Sequence, residues 1–237
     1  MLRLAIPFLA ALALLASTAT AQTPADRVDT ALVLAVDVSG SVDETRYALQ
    51  MEGIASAFED SEVQRAIFSG VHGSLLVILV NWSHEPEVMI PWTIVASPDD
   101  AQNFAARVRA APRHADDFTC MSRMLELVAD KVLPLAPLQA DRMVVDVSGD
   151  GRDNCNPRTA VDSLRDSLVK ADVAVNGLPI LEGGEALTIE QWYRDHVVGG
   201  PGSFILPANG YKDFGSAIRR KFILEISGER IAPPDAS

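Results

Sequence analysis

Short apolar runs alternate along the chain with segments in which apolar residues recur at helical spacing. The runs predict six strands, at residues 31–37, 74–81, 88–95, 142–148, 173–178 and 203–207. Several runs are apolar at every position, which is typical of parallel strands that helices cover on both faces. The alternation therefore predicts an α/β domain built on a mostly parallel sheet.

Stripes of apolar residues three or four positions apart predict helices between these strands. Asn156-Pro157 is typical of a helix start, with proline at the first helical position, and Thr188 with Gln191 resembles a capping box. The stripes are Tyr47, Met51, Ile54 and Phe58; Met121, Met124, Leu125, Val128 and Val132; Val161, Leu164 and Leu168; and Tyr211, Phe214, Ile218 and Phe222.

The second and third predicted strands have no helix between them, since only the turn-like sequence SHEPE separates them. This spacing favours a hairpin and an antiparallel edge strand at residues 88–95. The whole pattern predicts a doubly wound, mostly parallel six-stranded sheet with one antiparallel edge strand and helices on both faces. In such Rossmann-like sheets, ligands bind beyond the carboxyl ends of the strands, where the strand order reverses.

The first 21 residues have the organisation of a secretory signal peptide. Arg3 precedes an apolar run at residues 5–16, which is too short to span a bilayer, and Ala19-Thr20-Ala21 supplies the cleavage site. We therefore expect a periplasmic or secreted protein that is not inserted in the membrane after cleavage. The rest is expected to comprise a leader at residues 22–30, one domain at 31–226 and a flexible tail at 227–237.

The formal net charge of −12 narrows the classes of partner. Nucleic acids and anionic lipids are themselves negatively charged, so an acidic surface argues against both. Removal of the signal peptide leaves about 216 residues, which suits a single α/β domain. An acidic composition is also compatible with a protein that binds divalent cations, although many exported proteins share it.

The sequence LVLAVDVSGSVDE ends an apolar strand on a carboxylate and continues with regularly spaced hydroxyls. Helix capping is one explanation, because Ser41 and Glu44 match a capping box and Asp43 could cap instead. Capping leaves Asp37 and Ser39 unexplained. With Ser41 they form a D-x-S-x-S motif that offers only oxygen ligands, the preference of a hard cation such as Mg²⁺.

A second acidic loop, in the sequence MVVDVSGDGRDN, follows the fourth predicted strand. Asp150 comes just after the carboxyl end of that strand and is expected at the same sheet edge as Asp37. The segment from Asp146 to Gly151 also matches early ligand positions of a calcium-binding EF-hand loop. An EF-hand is rejected, because its last ligand position would be Pro157 and a strand precedes the loop where a helix should.

A third loop, HADDFTCMSR, places Thr119 before a predicted helix, where it could also serve as the N-cap. Taken with the D-x-S-x-S motif and Asp150, this threonine makes the chain resemble von Willebrand factor type A domains and their metal-ion-dependent adhesion site (MIDAS). More narrowly, DVSGSVD, DVSGDGRDN and YRDHVVGGPGSFILPA resemble a bacterial family of such domains of unknown function. The resemblance covers essentially the whole mature chain.

The resemblance implies one divalent cation, Mg²⁺ with Mn²⁺ or Ca²⁺ as alternatives, held by Asp37, Ser39, Ser41, Thr119 and Asp150. Hydroxyls bind the ion directly in the family, and the carboxylates bind partly through water. Neutral hydroxyls leave the ion electron-poor, so the resemblance implies that an open position takes an Asp or Glu of a partner protein. The threonine loop departs from the family pattern, because Asp117-Phe118 and Cys120 stand where the family has small residues.

Cys120 and Cys155 are the only two cysteines. In an exported chain they are expected to form a disulfide, with two buried free thiols as the alternative. The bridge would connect the loop that contains Thr119 to the loop that contains Asp150. The four histidines have no metal-ligand spacing and are expected at the surface or in loops, with only His114 near the threonine loop.

Three functions are compatible with these residues. The preferred one is a protein-binding module that depends on a divalent cation and is not an enzyme. A metal-assisted phosphate or ester hydrolase is the second, although the sequence has no G-x-S-x-G elbow, no Cys–His arrangement and no D-x-D motif at the first strand. The third is a structural domain whose ion only stiffens its loops.

The signal peptide gives the first testable prediction. Protein isolated from the periplasm or medium of its native host should have an intact mass that corresponds to a chain beginning at or near Gln22, because cleavage is expected after Ala21. Retention of Met1 in a soluble cytoplasmic pool would contradict the predicted localisation.

Overall fold

The structure is a computed structural model that describes residues 27–155 and 160–227. Within these residues the strands are β1 (Arg27–Asp37), β2 (Leu75–Trp82), β3 (Glu87–Val95), β4 (Gln139–Gly149) and β5 (Val173–Pro179). The α-helices are α1 (Glu44–Glu59), α2 (Ser61–Phe68), α3 (Pro98–Arg109), α4 (Met121–Leu127), α5 (Val161–Lys170), α6 (Ile189–His196) and α7 (Phe214–Ser227). A π turn (Val128–Val132) and a 3-10 turn (Leu133–Leu135) continue α4, and a 3-10 turn (Tyr211–Asp213) precedes α7.

The strands form one sheet in the order β3-β2-β1-β4-β5. β1 is central and parallel to both β2 and β4, and β5 is parallel to β4. β3 is antiparallel to β2 and lies at the edge. The prediction of a mostly parallel sheet with one antiparallel edge strand is therefore confirmed.

The predicted sixth strand, at residues 203–207, is wrong. This segment runs beside β5, but only Ile205 forms an isolated bridge there. The amide of Phe204 donates to the side chain of Asn176 at 2.9 Å, and Pro179, which lies opposite this segment in β5, has no amide hydrogen to donate to it. A regular ladder is interrupted at both positions, so the sheet has five strands.

The first strand starts earlier than predicted. β1 begins at Arg27, and Val28 is buried, so residues 27–30 belong to the strand and not to the leader. The predicted signal peptide and the Asn156-Pro157 helix start lie outside the described residues, as does the predicted tail after Ser227. Among residues 27–155 and 160–227, no helix is long and apolar enough to cross a bilayer.

Helices cover both faces of the sheet, as predicted. Leu32, Leu34 and Val36 of β1 pack in the core formed with α1, α2, α3 and α7. Val33 and Ala35 point to the opposite core, which α4, α5 and α6 complete. Because alternate side chains of a strand face opposite sides, burial on both faces explains why the run is apolar at every position.

The four predicted stripes lie in α1, in α4 with its π turn, in α5 and in the segment that ends in α7. The helices α2 and α3 were not predicted from the sequence. Thr188 directly precedes α6, but its hydroxyl lies 3.3 Å from the carbonyl oxygen of Glu185 and makes no cap bond. The start of this helix was predicted correctly, whereas its capping box was not.

A buried ionic cluster attaches α7 to the middle of β4. The ammonium of Lys221 lies 2.8 Å from the Asp146 carboxylate and also pairs with Glu225, and all three side chains are buried. Burial and the nearby Glu225 carboxylate raise the pKa of Asp146 to about 7. Asp146 therefore faces α7 with a counter-ion of its own, which agrees with the rejection of an EF-hand at this loop.

Candidate metal site

The predicted ligands meet where the strand order reverses. β1 and β4 are parallel neighbours, and the helices that follow them, α1 and α5, pack on opposite faces of the sheet. The carboxyl ends of these two strands therefore border a crevice, the usual ligand position in such sheets. Asp37 is the last residue of β1, and Asp150 directly follows β4.

Hydrogen bonds connect the residues of the D-x-S-x-S motif to Asp150. Asp37 and Ser39 are buried, and the amide of Ser39 donates to Asp37 Oδ1 at 2.8 Å. The hydroxyl oxygens of Ser39 and Ser41 are 3.3 Å apart. Ser41 Oγ donates to Asp150 Oδ1 at 2.6 Å. The structure thus brings four of the five predicted ligands into one continuous group.

Helix capping at α1 is carried out by Asp43. Its Oδ1 accepts the amide of Arg46 at 2.8 Å, and Asp43 has the extended backbone of an N-cap residue. The hydroxyl of Ser41 bonds Asp150 instead of the helix. Capping therefore explains Asp43 and leaves the D-x-S-x-S motif without a role in helix formation.

Thr119, the fifth predicted ligand, reaches the same edge from a different loop. It is not the N-cap of α4, since that position is Cys120. Its amide donates to Asn154 Oδ1 at 2.8 Å, and the amide of Asn154 donates to the Thr119 carbonyl at 3.0 Å. Thr119 Oγ1 lies 3.5 Å from the point that a Cβ on Gly151 would occupy. The threonine is therefore held against the loop that begins at Asp150.

The predicted disulfide between Cys120 and Cys155 is confirmed, with Cα atoms 5.2 Å apart. Beside it, the amide and the hydroxyl of Ser122 donate to Asp153 Oδ1 at 2.8 and 2.9 Å. The covalent bond and these hydrogen bonds hold the threonine loop and the Asp150 loop together.

A second brace on the other side of the site was not predicted. Arg46 donates to the carbonyl of Ser41 and to Glu182 Oε1, the latter at 2.9 Å, and its guanidinium stacks 5.3 Å from the Tyr211 ring centroid. The amide of Tyr211 donates to Glu182 Oε2 at 3.1 Å. Arg46 and Glu182 are 136 positions apart, so no local sequence signal could have identified this pair.

The electrostatics of the site favour a cation. Burial, and then the nearby Asp150 carboxylate, raise the pKa of Asp37 to about 7. Asp37 Oδ2 is buried and has no hydrogen-bond partner within the described ranges. It also lies only 2.8 Å from where a Cβ on Gly149 would be, so the site needs glycine there. Three hydroxyls and two carboxylates, one of which has an unpaired buried oxygen, fit a hard divalent cation.

Two other groups of metal-ligating side chains occur among residues 27–155 and 160–227. In the first, His84 approaches Cys120 and Cys155, but both sulfurs are consumed by the disulfide. In the second, Asp141 is paired with Arg27 and His72. Both groups have partners within the protein, which distinguishes them from the D-x-S-x-S site.

Comparison with known proteins supports the fold assignment. The sequence model of the family described as "Protein of unknown function (DUF1194)" matches residues 27–230. Among curated proteins, none matches the sequence. A von Willebrand factor type A protein from Catenulispora acidiphila is similar with a TM-score of 0.59 and 16% identity, over 84% of this chain and 43% of that one. The fold is therefore that of von Willebrand factor type A domains, as the resemblance implied.

Two further proteins of known structure share this fold. Proximal thread matrix protein 1 of the mussel byssus has a TM-score of 0.62 at 13% identity, over 85% of this chain and 49% of that one. Another structure of the same mussel protein has zinc in its MIDAS motif. It is 12% identical, over 85% of this chain and 48% of that one. The pilus adhesin SpaC of Lactobacillus rhamnosus GG has a TM-score of 0.63 at 11% identity, over 85% of this chain and 31% of that one. The chain spans about half or less of the length of these proteins.

The raised pKa of Asp37 predicts a pH-dependent stability of the ion-free protein. The folded state favours the protonated form of the Asp37 carboxyl. The stabilisation of the folded state by this protonation is complete below the usual aspartate pKa of 3.8 and is lost as the pH rises to about 7. Asp37→Asn should therefore be more stable than the wild type above pH 7, by a few kcal/mol at roughly 1.4 kcal/mol per pKa unit, and this advantage should disappear below about pH 4.

Urea denaturation with chelator at pH 3.5, 5.5 and 7.5 measures this difference. Asp117→Asn, which changes an exposed carboxylate beside the same loop, is the control and should show no comparable pH-dependent gain. Equal stabilities of Asp37→Asn and the wild type at pH 7.5 would contradict the conclusion that burial and the Asp150 charge destabilise the ionised Asp37 carboxylate.

Removal of the disulfide should weaken both the fold and the ion site. Closure of a loop of about 35 residues contributes on the order of 3–4 kcal/mol in the chain-entropy treatment. Cys120→Ser with Cys155→Ser should therefore lower the unfolding temperature and, because the two loops lose their covalent brace, the ion affinity as well. Mass spectrometry without reduction should show the two cysteine peptides linked; two freely alkylated thiols in the native protein would refute this.

Proposed function

The chain belongs to the family described as "Protein of unknown function (DUF1194)", and we propose that it is an exported binding module that depends on a divalent cation. Mg²⁺ is the proposed ion, with Mn²⁺ or Ca²⁺ as alternatives. The observation that carries the proposal is the arrangement of Asp37, Ser39, Ser41 and Asp150 at the switch point of the sheet, where Ser41 already bonds Asp150. Proximal thread matrix protein 1, which has the same fold, has a zinc-occupied MIDAS motif, and this supports an ion at the proposed site.

The proposed ligands are Asp37, Ser39, Ser41, Thr119 and Asp150. When bound, the ion would act as a Lewis acid that attracts an anionic oxygen. The three hydroxyls are neutral, so only two carboxylates of the protein would offset its charge. We propose that a carboxylate of a partner protein completes the coordination.

The surroundings of the site support a protein partner. Phe118, directly before Thr119, is 47% exposed, and Leu187 is fully exposed in the loop whose Glu185 accepts the amide of Arg152 at 3.0 Å. We propose that these two exposed apolar side chains form part of the binding surface. A partner could therefore combine one coordinating carboxylate with apolar contacts to this rim.

Binding is favoured over catalysis by the positions of the histidines. His72 contacts Asp141, His114 contacts Glu87, and His84 contacts the Cys120 sulfur and Arg123. Their hydrogen bonds thus engage residues outside the proposed ligand set. A hydrolase remains the second candidate because of one observation, the short hydrogen bond from Ser41 to Asp150, in which a carboxylate could activate a hydroxyl.

Calorimetric titration with MgCl₂ and MnCl₂ tests the proposed site. Asp37→Ala should abolish ion binding while the fold is retained, because the side chain ends a strand at the sheet edge. Ser39→Ala and Ser41→Ala should weaken binding. Asp146→Asn is the control, because Asp146 pairs with Lys221, and its affinity should equal that of the wild type.

Wild-type affinity in Asp37→Ala, or a loss confined to Asp146→Asn, would show that the site has been assigned to the wrong residues. A pull-down with the mature protein then separates the functions. A binding module should retain partners with Mg²⁺ and release them with chelator, and Asp37→Ala should retain none. Ion-dependent hydrolysis of p-nitrophenyl phosphate or acetate, lost in Ser41→Ala, would favour the hydrolase instead.

A further inference from the structure

Two tyrosines lie behind the proposed metal site. Tyr193 of α6 is fully buried, and Tyr211 of the 3-10 turn is nearly so. The Tyr193 hydroxyl and Asp37 Oδ2 lie 2.9 and 2.8 Å from the same point, the position that a Cβ on Gly149 would take. The hydroxyl of one tyrosine and the inner oxygen of the ion-facing carboxylate are therefore close neighbours on one side of Gly149.

The hydroxyls of both tyrosines are buried without a hydrogen-bond partner in the part of the chain that the structure describes, and so is Asp37 Oδ2. An unpaired buried polar group is unfavourable, and each one in a folded protein needs an explanation. A phenol donates one hydrogen, whereas a carboxylate only accepts. The Tyr193 hydroxyl and Asp37 Oδ2 are thus complementary, since one can donate the hydrogen that the other can accept.

The electrostatic environment agrees with this arrangement. Burial and the Asp37 carboxylate raise the pKa of Tyr193 well above its usual value, and burial and the Asp150 carboxylate raise the pKa of Tyr211. Both phenols therefore remain neutral and keep the hydrogen that a carboxylate can accept. Each of the two carboxylates has one of these tyrosines as a close neighbour.

The third tyrosine shows that this arrangement is not general. The Tyr47 hydroxyl is also buried, but the carbonyls of Ala111 and Pro112, at 3.0 and 3.1 Å, share its one hydrogen, and it accepts from Asn81 at 3.1 Å. Its polar atom is satisfied by the protein. For Tyr193 and Tyr211, packing alone would be served as well by phenylalanine, so their hydroxyls require another role.

We propose that Tyr193 and Tyr211 are positioning residues that hold the Asp37 and Asp150 carboxylates from behind and thereby make the site prefer Mg²⁺ over Ca²⁺. Groups that hydrogen-bond metal-ligating carboxylates orient them. Mg²⁺ demands near-ideal octahedral geometry at short distances, whereas Ca²⁺ accepts longer and more variable ones, so a rigid pair of carboxylates selects the smaller ion. This inference rests on the proposed function.

The fold is suited to this role because both tyrosines are themselves fixed. Tyr211 is held through its amide by Glu182 and through its ring by Arg46, which also binds the carbonyl of Ser41. Tyr193 lies on a helix and is packed in the core below α4, α5 and α6. In the proposed role, a phenol on a fixed ring restricts the carboxylate to which it donates.

Calorimetric titration of the full mature protein with MgCl₂ and with CaCl₂ tests the inference. Tyr193→Phe and Tyr211→Phe should each lower the Mg²⁺ affinity by about 10–100-fold, the usual effect of removing such a partner. The Ca²⁺ affinity should fall less, so the ratio of the two affinities decreases. Tyr47→Phe is the matched control: it should lower the unfolding temperature and leave the ratio unchanged.

The outcomes separate this inference from the function on which it rests. Two results would show that the tyrosines serve packing only. One is a ratio of Mg²⁺ to Ca²⁺ affinity in both variants that equals the wild-type ratio. The other is an equal loss of affinity for the two ions, together with a lowered unfolding temperature in chelator. If the wild type binds neither ion, the proposed function fails first. If Asp37→Ala abolishes binding and the tyrosine variants do not alter selectivity, the function stands and this inference is overturned.

Discussion

The repulsion between the carboxylates of Asp37 and Asp150 is the constraint on which the functional edge of the molecule depends. β1 and β4 are parallel neighbours, so one acidic residue at the end of each brings two negative charges together in a buried position. The surrounding structure holds them there through the Ser41 hydroxyl, the Cys120–Cys155 disulfide and the ion pair between Arg46 and Glu182. Such an arrangement is unfavourable without a cation and becomes favourable with one.

The same sheet contains a second buried aspartate that shows the difference between a structural and a functional charge. Asp146 has the ammonium of Lys221 as a counter-ion within the core, and it shares that ammonium with Glu225. Asp37 is equally buried, and its Oδ2 is unpaired among the residues that the structure describes. Burial raises the pKa of both carboxyls to about 7, but no salt bridge to Asp37 occurs among the described residues. This contrast supports Asp37, and not Asp146, as a ligand of the proposed site.

The sequence by itself determined the fold class, because residues that are apolar on both faces of a strand need helices on both sides of a sheet. It also placed Asp37 and Asp150 at one edge, since parallel strands end together. Local signals for α3 were present but were not recognised: Ser97 and Pro98 are its N-cap and first helical residue, and Ala101, Phe104, Ala105 and Val108 recur at helical spacing.

Only the tertiary structure decided the points that depend on residues far apart in the chain. Ser41 and Asp43 were both candidates for the helix cap; in the structure Asp43 accepts the amide of Arg46, and Ser41 bonds Asp150, 109 positions away. The absence of a sixth strand within the described residues was set by the Asn176 side chain, which takes the amide of Phe204. The places of Tyr193 and Tyr211 behind the carboxylates had no sequence signal, because a buried hydroxyl acquires its role only from the groups that the fold brings to it.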